Sequence, residues 1–242
     1  MVVAVVPVKR LSAAKQRLAP LFSPSERERI CLAMLFDVLD ALRATPEVGE
    51  ICVLTSDPDL PCMLRSDYPG VRHIRDPKRS GLNGALRHAA LELARCGASR
   101  MLIVPADLPL VTPGALEGVL GASEGASVLL VPDRSRRGTA LLLLSPPIAI
   151  LPRYGADSFA RHLEGARTSG LRWAVRRGGH RLWDVDEPAD FGPVLRYGQG
   201  TRTRARALEL GIRRRLESVP RGDSRSSGAA ARRAAMRGGG SR

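Results

Sequence analysis

Four groups of polar residues carry types and spacings suited to handling phosphates. The first is Lys9, Arg10, Lys15 and Arg17, four cations within nine residues, directly after the apolar run Val2–Val8. Cations on a long connection could clamp a polyphosphate. At 4 Å and an effective dielectric of about 20, one unit-charge contact is worth ~4 kcal/mol before desolvation. The same loop could be a solvated stretch of an arginine-rich chain. Yet Lys9 and Lys15 are two of only three lysines, against 35 arginines. A compact ammonium kept where arginine is the common choice suits a reacting phosphate, which a planar guanidinium serves less well.

The second group centres on Asp107, in Pro105-Ala106-Asp107-Leu108-Pro109. Magnesium is held by one or two carboxylates together with substrate phosphates, and a carboxylate leaving the end of a strand fits that role. A turn aspartate bonding its own backbone fits the residue as well. The third group is Asp184 and Asp186, which alternation puts on one side of an extended segment. Either could join Asp107 around a cation, or Asp186 could cap the helix expected near Pro188. The fourth comprises Asn83 at a helix start, Thr139 after Gly138, and Gly155 and Ser158 before a further helix. Helix-terminal amides suit an anion or a carbonyl-bearing base. Capping and turn roles account for the same residues.

These residues need a frame. Val2–Val8 reads as a strand buried on both faces. Ser23-Pro24-Ser25-Glu26 opens a helix as a capping box with proline at its first position. Strands are expected at Glu50–Thr55, Val71–Ile74, Arg100–Pro105, Ser127–Val131, Thr139–Leu144 and Leu171–Val175. Helices are expected at Gly81–Gly97, from Thr112, at Asp157–Ala166 and at Glu187–Leu195. This alternation predicts a three-layer α/β/α fold with a mostly parallel sheet, whose ligands lie at the carboxyl ends of strands. Each polar group above follows a strand or sits in a connection.

The chain has 242 residues and a formal net charge of +14. Much of that charge lies in residues 198–242, which hold 12 arginines and three acidic residues. The expected organisation is therefore a domain over 1–197 and a basic Arg/Gly/Ser-rich extension over 198–242. An amphipathic piece is expected at Ala205–Leu216, and disorder dominates the rest. Aromatics make up 4% of the chain and none follows Tyr197, which argues against nucleic-acid binding. That reading, a non-enzymatic binder acting through the tail, is the alternative of another class. No apolar run approaches the roughly 20 residues of a membrane span. The N-terminus lacks the basic and small-residue features of a secretory signal, and the four cysteines form no C-x-x-C pair. A cytoplasmic protein with reduced thiols, away from membranes, is expected. A homodimer is compatible with all of this.

Taken in order, the motifs resemble a family. They are Pro-Val-Lys-x-Leu-x-x-Ala-Lys-x-Arg-Leu, Ser-x-x-Glu-Arg, Gly-Leu-Asn-x-Ala-Leu, Ala-Asp-Leu-Pro-Leu, Pro-Asp-x-x-x-x-Gly-Thr, Tyr-Gly-x-x-Ser-Phe-x-x-His and Asp-Val-Asp-x-Pro-x-Asp, spread from Val2 to Leu195. The set is similar to the guanylyltransferases of coenzyme F-420 biosynthesis, which use 2-phospho-L-lactate, phosphoenolpyruvate or 3-phospho-D-glycerate as acceptor.

The resemblance implies a nucleotide-diphospho-sugar-transferase-like fold. GMP would pass from GTP to the acceptor's phosphate, with phosphoenolpyruvate slightly preferred, and the product would go to a deazaflavin-precursor transferase. Lys9, Lys15 and Arg17 would handle the GTP phosphates and carry catalysis, and Asn83 would lie near the nucleoside. Asp107 and Asp186, with Asp184 as a third carboxylate, would hold Mg²⁺. Thr139, Gly155 and Ser158 would bind the acceptor. The chain departs from the family's Gly-Thr-Asn at Gly138-Thr139-Ala140. The alternative enzyme reading is a molybdenum-cofactor or sugar-phosphate nucleotidyltransferase, and those commonly carry a glycine-rich loop after the first strand. No glycine precedes Gly49 here.

Overall fold

A computed structural model describes residues 1–75 and 81–218. The strands are β1 (Val2–Val8), β2 (Val48–Thr55), β3 (Arg72–Arg75), β4 (Arg100–Ile103), β5 (Val128–Pro132), β6 (Thr139–Leu144) and β7 (Trp173–Val175). The helices are α1 (Pro24–Arg43), α2 (Leu60–Arg65), α3 (Gly81–Arg95), α4 (Pro113–Gly121), α5 (Ser158–Thr168), α6 (Phe191–Tyr197), α7 (Arg202–Glu209) and α8 (Ile212–Ser218).

One seven-stranded sheet runs in the order β3-β2-β1-β4-β6-β5-β7. Strand β1 lies parallel to β2 and β4, β2 to β3, and β5 to β7. Among the described strands only β6 is reversed, antiparallel to both β4 and β5. The reversal follows from the short connection between β5 and β6, since parallel neighbours need a crossover of a dozen residues or more. The Asp133 amide donates to the Gly138 carbonyl (3.0 Å), and the Gly138 amide donates to Asp133 Oδ2 (3.0 Å). As a result the first residue of β6, Thr139, stands at the edge where the parallel strands end.

The apolar run of β1 divides between two cores, as strand alternation requires. Val2, Ala4, Val6 and Val8 pack with Leu35 and Leu39 of α1, Leu116 of α4, Phe191 of α6 and Ala207 of α7. Val3 and Val5 pack with Leu86 and Ala89 of α3 and Ala166 of α5. Helices therefore cover both faces, and the expected three-layer, mostly parallel α/β/α arrangement is observed. The capping box of α1 is present. Ser23 Oγ accepts from the Glu26 amide, and Glu26 Oε2 accepts from the Ser23 amide.

Some elements differ in extent. The helix expected at Glu187–Leu195 is a 3-10 turn at Pro188–Asp190 followed by α6, and the strand expected at Leu171–Val175 is shorter. The amphipathic piece expected at Ala205–Leu216 is two helices, because Gly211 takes a left-handed φ of 70° between them. The chain passes the expected 197/198 boundary directly into α7, which lies on α1. There the buried Asp37 carboxylate accepts from the amides of Arg202 (2.7 Å) and Thr203 (2.9 Å). Arg215 of α8 makes a two-pronged pair with Glu26 at the start of α1 (2.9 and 2.7 Å). The remainder of the expected disordered extension, residues 219–242, lies outside the described residues.

Candidate active site

Strands β1 and β4 are parallel neighbours, so the loops leaving them share one edge of the sheet. The loop after β1 is pinned by two 3-10 turns, Leu11–Ala13 and Gln16–Leu18, whose leucines are buried. Its main chain is also tied to the loop after β2, since the Leu11 amide donates to Asp57 Oδ2 (3.0 Å). Between the turns stands Lys15, in a left-handed conformation (φ 51°, ψ 47°). That region costs a residue other than glycine roughly 1–2 kcal/mol.

This backbone delivers the Lys15 ammonium between two carboxylates. Nζ lies 2.5 Å from Asp107 Oδ2 and 2.5 Å from Asp186 Oδ1. Asp107 follows β4. Asp186 arrives from far along the chain because the Val185 amide donates to the Asp107 carbonyl (3.1 Å). The cap of the following turn is made by Glu187 and Asp190, whose Oδ2 accepts from the amides of Asp186 and Glu187. That leaves the Asp186 side chain for the cluster rather than for capping.

Burial works against the Lys15 charge, but Asp107 and Asp186 outweigh it and hold the ammonium above its ordinary pKa. Asp184 lines the same cavity, where burial and the charges of Asp107 and Asp186 push its carboxyl up to about 6. The cavity has a volume of about 900 Å³ and is bordered by Lys9, Arg10, Lys15 and Arg17 on the cationic side. Arg17 is exposed and pairs with Glu187 (3.1 Å).

Thr139, Gly155 and Ser158 border the other end. The Thr139 amide donates to Ser158 Oγ (3.0 Å), and Thr139 Oγ1 lies 2.9 Å from Nδ1 of the fully buried His162. Ala140, standing where the resemblance expects asparagine, is buried on the cavity wall and offers no side-chain donor. Asn83 is engaged differently from the expectation. Its amide donates to the Tyr154 carbonyl (3.0 Å) and its oxygen accepts from the Tyr154 amide (2.6 Å), so both its polar atoms hold the loop before α5.

Nine of the ten expected site residues thus lie on or beside one cavity, and Asn83 braces its rim. His162 closes the Tyr-Gly-x-x-Ser-Phe-x-x-His motif, one helical turn after Ser158 and on the same face, yet the sequence assigns it no role. Glu187, the partner of Arg17, was also missed. It reads in sequence as one more acid in a cap. Among the described residues no three His, Cys, Asp or Glu side chains stand together as a ready metal cluster. What the geometry offers is a pair of hard oxygen donors converging on one cationic point.

The profile of a family described as "Guanylyl transferase CofC like" matches residues 2–227. A phosphoenolpyruvate guanylyltransferase of Sphaerobacter thermophilus is 40% identical over 189 residues, covering 78% of this chain and 90% of that protein. A 2-phospho-L-lactate guanylyltransferase of Methanothermobacter thermautotrophicus is 34% identical over 202 residues, covering 83% and 87%. Among solved structures, one described as a nucleotide-diphospho-sugar transferase from Desulfovibrio desulfuricans G20 superposes with a TM-score of 0.73 at 17% identity, covering 88% of this chain and 97% of that one. A 4-diphosphocytidyl-2C-methyl-D-erythritol synthase gives a TM-score of 0.57 at 15% identity, covering 80% and 96%. These two share the fold. The length of the profile match and the identity to the curated relatives establish that the chain belongs to the CofC-like guanylyl transferase family.

Proposed function

We propose that this chain transfers GMP from GTP to the phosphate of a three-carbon phospho-acid in coenzyme F-420 biosynthesis, with phosphoenolpyruvate as acceptor. The observation that carries the reading is the convergence of Lys15, Asp107 and Asp186 at the carboxyl edge of β1 and β4. The slight preference for phosphoenolpyruvate is supported by relatives named for it at 35–40% identity, against 34% for one named for 2-phospho-L-lactate. 2-Phospho-L-lactate and 3-phospho-D-glycerate share its phosphate and carboxylate and are the competing substrates.

In the reaction an acceptor phosphate oxygen attacks the α-phosphorus of GTP. A P–O bond forms there as the bond to the β-phosphate breaks, and pyrophosphate leaves with the electron pair. A phosphate monoester is largely ionised at neutral pH, its second pKa being about 6, so no strong general base is needed. Positioning and charge neutralisation remain for the protein to supply.

Asp107 and Asp186 are the residues that would hold Mg²⁺, with Asp184 beside them. Two carboxylates completed by substrate phosphates is the donor set this ion takes. When bound, the ion supplies charge neutralisation at phosphoryl oxygens. With Asp107 and Asp186 holding the ion, the Lys15 ammonium would be free to face the triphosphate, beside Lys9 and Arg17 on the same cavity wall. Thr139, Gly155 and Ser158 hold the acceptor. The product, a guanosine diphospho-linked acid, goes to a transferase that takes a deazaflavin precursor.

The test is pyrophosphate release from GTP and Mg²⁺ with each of the three acids supplied separately. Phosphoenolpyruvate should give the largest kcat/KM. Turnover that ignores the acid supplied would overturn the reading.

A further inference from the structure

The cavity's neutral end contains a buried histidine that the proposed reaction does not use. His162 is 0% exposed, on the first turns of α5. The Arg153 amide donates to its Nε2 at 2.7 Å, so that nitrogen must present a lone pair. Burial, with the charges of Arg161 and Arg153 adding to it, lowers the ring's pKa to about 4. At neutral pH the imidazole is therefore uncharged, and its single proton sits on Nδ1. That proton is donated to Thr139 Oγ1 at 2.9 Å.

The direction of this bond decides the next one. Thr139 Oγ1 accepts from His162, and Ser158 Oγ donates to the same oxygen at 3.4 Å. Ser158 Oγ in turn accepts the Thr139 amide at 3.0 Å. With its lone pairs engaged, the Thr139 hydroxyl has only its own proton to offer. No acceptor among the described residues takes it, and Thr139 borders the cavity. The histidine is held against rotation. The Tyr154 ring packs against it in a T-shaped contact, at a centroid distance of 5.0 Å and an interplanar angle of 71°. Asn83 clamps the main chain of Tyr154 from α3.

We propose that His162 is a positioning residue whose Nδ1 proton obliges the Thr139 hydroxyl to donate into the cavity, toward the anionic phospho-acid. This rests on the guanylyl-transfer reading above. An anion rewards a preset donor: nothing needs to reorient on binding, and a hydrogen bond to a charged group is worth more than one between neutral groups.

Steady-state kinetics with phosphoenolpyruvate varied at saturating GTP, and the reverse, test it. His162→Phe should raise KM for phosphoenolpyruvate roughly tenfold while KM for GTP stays within about twofold. His162→Asn, whose amide can stand in for the Nδ1 donor, should recover most of that loss. Combining His162→Phe with Thr139→Val should add little to Thr139→Val alone, because both remove the same donated proton. An unchanged acceptor KM in His162→Phe, equal losses in the Asn and Phe variants, or additive losses in the double variant would each overturn the assignment.

If the Phe variant does not fold, imidazole ¹⁵N shifts of the wild-type protein decide. The Nδ1–H tautomer from about pH 5 to 8 supports the assignment, and the Nε2–H tautomer overturns it. Failure of the wild-type enzyme to turn over GTP with any of the three acids counts against guanylyl transfer instead. The tautomer measurement still judges His162 in that case.

Discussion

At one end of the cavity the Lys15 ammonium stands 2.5 Å from both Asp107 and Asp186, with Asp184 close enough for their charges to raise its pKa. At the other end Thr139, Ser158 and His162 hold one another through neutral hydrogen bonds. The two ends solve different problems. A cluster of opposed charges can exchange partners when a polyphosphate and a cation arrive, since each group already has an alternative of the right sign. A neutral network cannot exchange charge, but it can fix the direction of one donor before the ligand comes. In the proposed reaction, charge would serve the transferred group and preset geometry the acceptor. The variants below should therefore fall into two kinetic classes, turnover at the charged end and acceptor KM at the neutral end.

The largest effect is expected at Asp107. Asp107→Asn keeps the shape of the side chain and removes its charge, and kcat should fall by about 10³ while circular dichroism stays unchanged. Lys15 comes next. Lys15→Met should lower kcat by about 10², and Lys15→Arg should rescue little, since a rigid planar fork does not reproduce the contact of one compact ammonium with two carboxylates. Comparable acceptor KM shifts in these two variants would erase the distinction between the ends. Thr139→Val should do the converse, raising KM for the acceptor roughly tenfold with kcat nearly kept. A large loss of kcat there would merge the neutral end with the charged one.

Two smaller effects concern stability. His162 has a folded pKa of about 4, below its unfolded value of about 6.5. Its contribution is complete above pH 6.5 and is lost as pH falls from there through about 4, because the unfolded chain takes up the proton first. The loss is about 3 kcal/mol at most. Urea unfolding at a series of pH values should show that slope in the wild type and not in His162→Asn. Asp184 has the opposite sign for a carboxyl. Its folded pKa of about 6 exceeds the unfolded value, so stability declines as pH rises from about 4 through 6. Asp184→Asn should raise Tm by a few degrees at pH 8 while lowering turnover, the usual exchange between stability and function. Unchanged stability would mean that the charged end stores no repulsion in the ligand-free protein.

The parts of this structure that local rules govern were legible in the sequence. The β-branched run of β1 and the Ser23–Glu26 capping box depend on neighbours within a few residues, and both stand where expected. The positioning of the two ends depends on contacts across the chain. Thr139 reaches the cavity only because the short Asp133–Gly138 connection reverses β6. Spacing fits Asp186 to a cap or a cation site. The bond from the Val185 amide to the Asp107 carbonyl and the cap formed by Glu187 and Asp190 assign it to the cluster. Asn83 has a polar side chain at a helix start, which suits a ligand or a brace equally, and the fold engages both its polar atoms with Tyr154. His162 left a signal one turn after Ser158. It also closes the Tyr-Gly-x-x-Ser-Phe-x-x-His motif, but a sequence does not show that its ring is buried against Thr139.

The most direct measurement follows ³¹P resonances in a mixture of the full chain, GTP, Mg²⁺ and phosphoenolpyruvate. The prediction is that pyrophosphate accumulates only when the acid is present, in step with a new phosphoanhydride pair linking guanosine to the acid, and that Asp107→Asn abolishes both. Pyrophosphate or guanylylated product formed undiminished by Asp107→Asn, or no product from any of the three acids, would contradict the assignment of this cavity to guanylyl transfer.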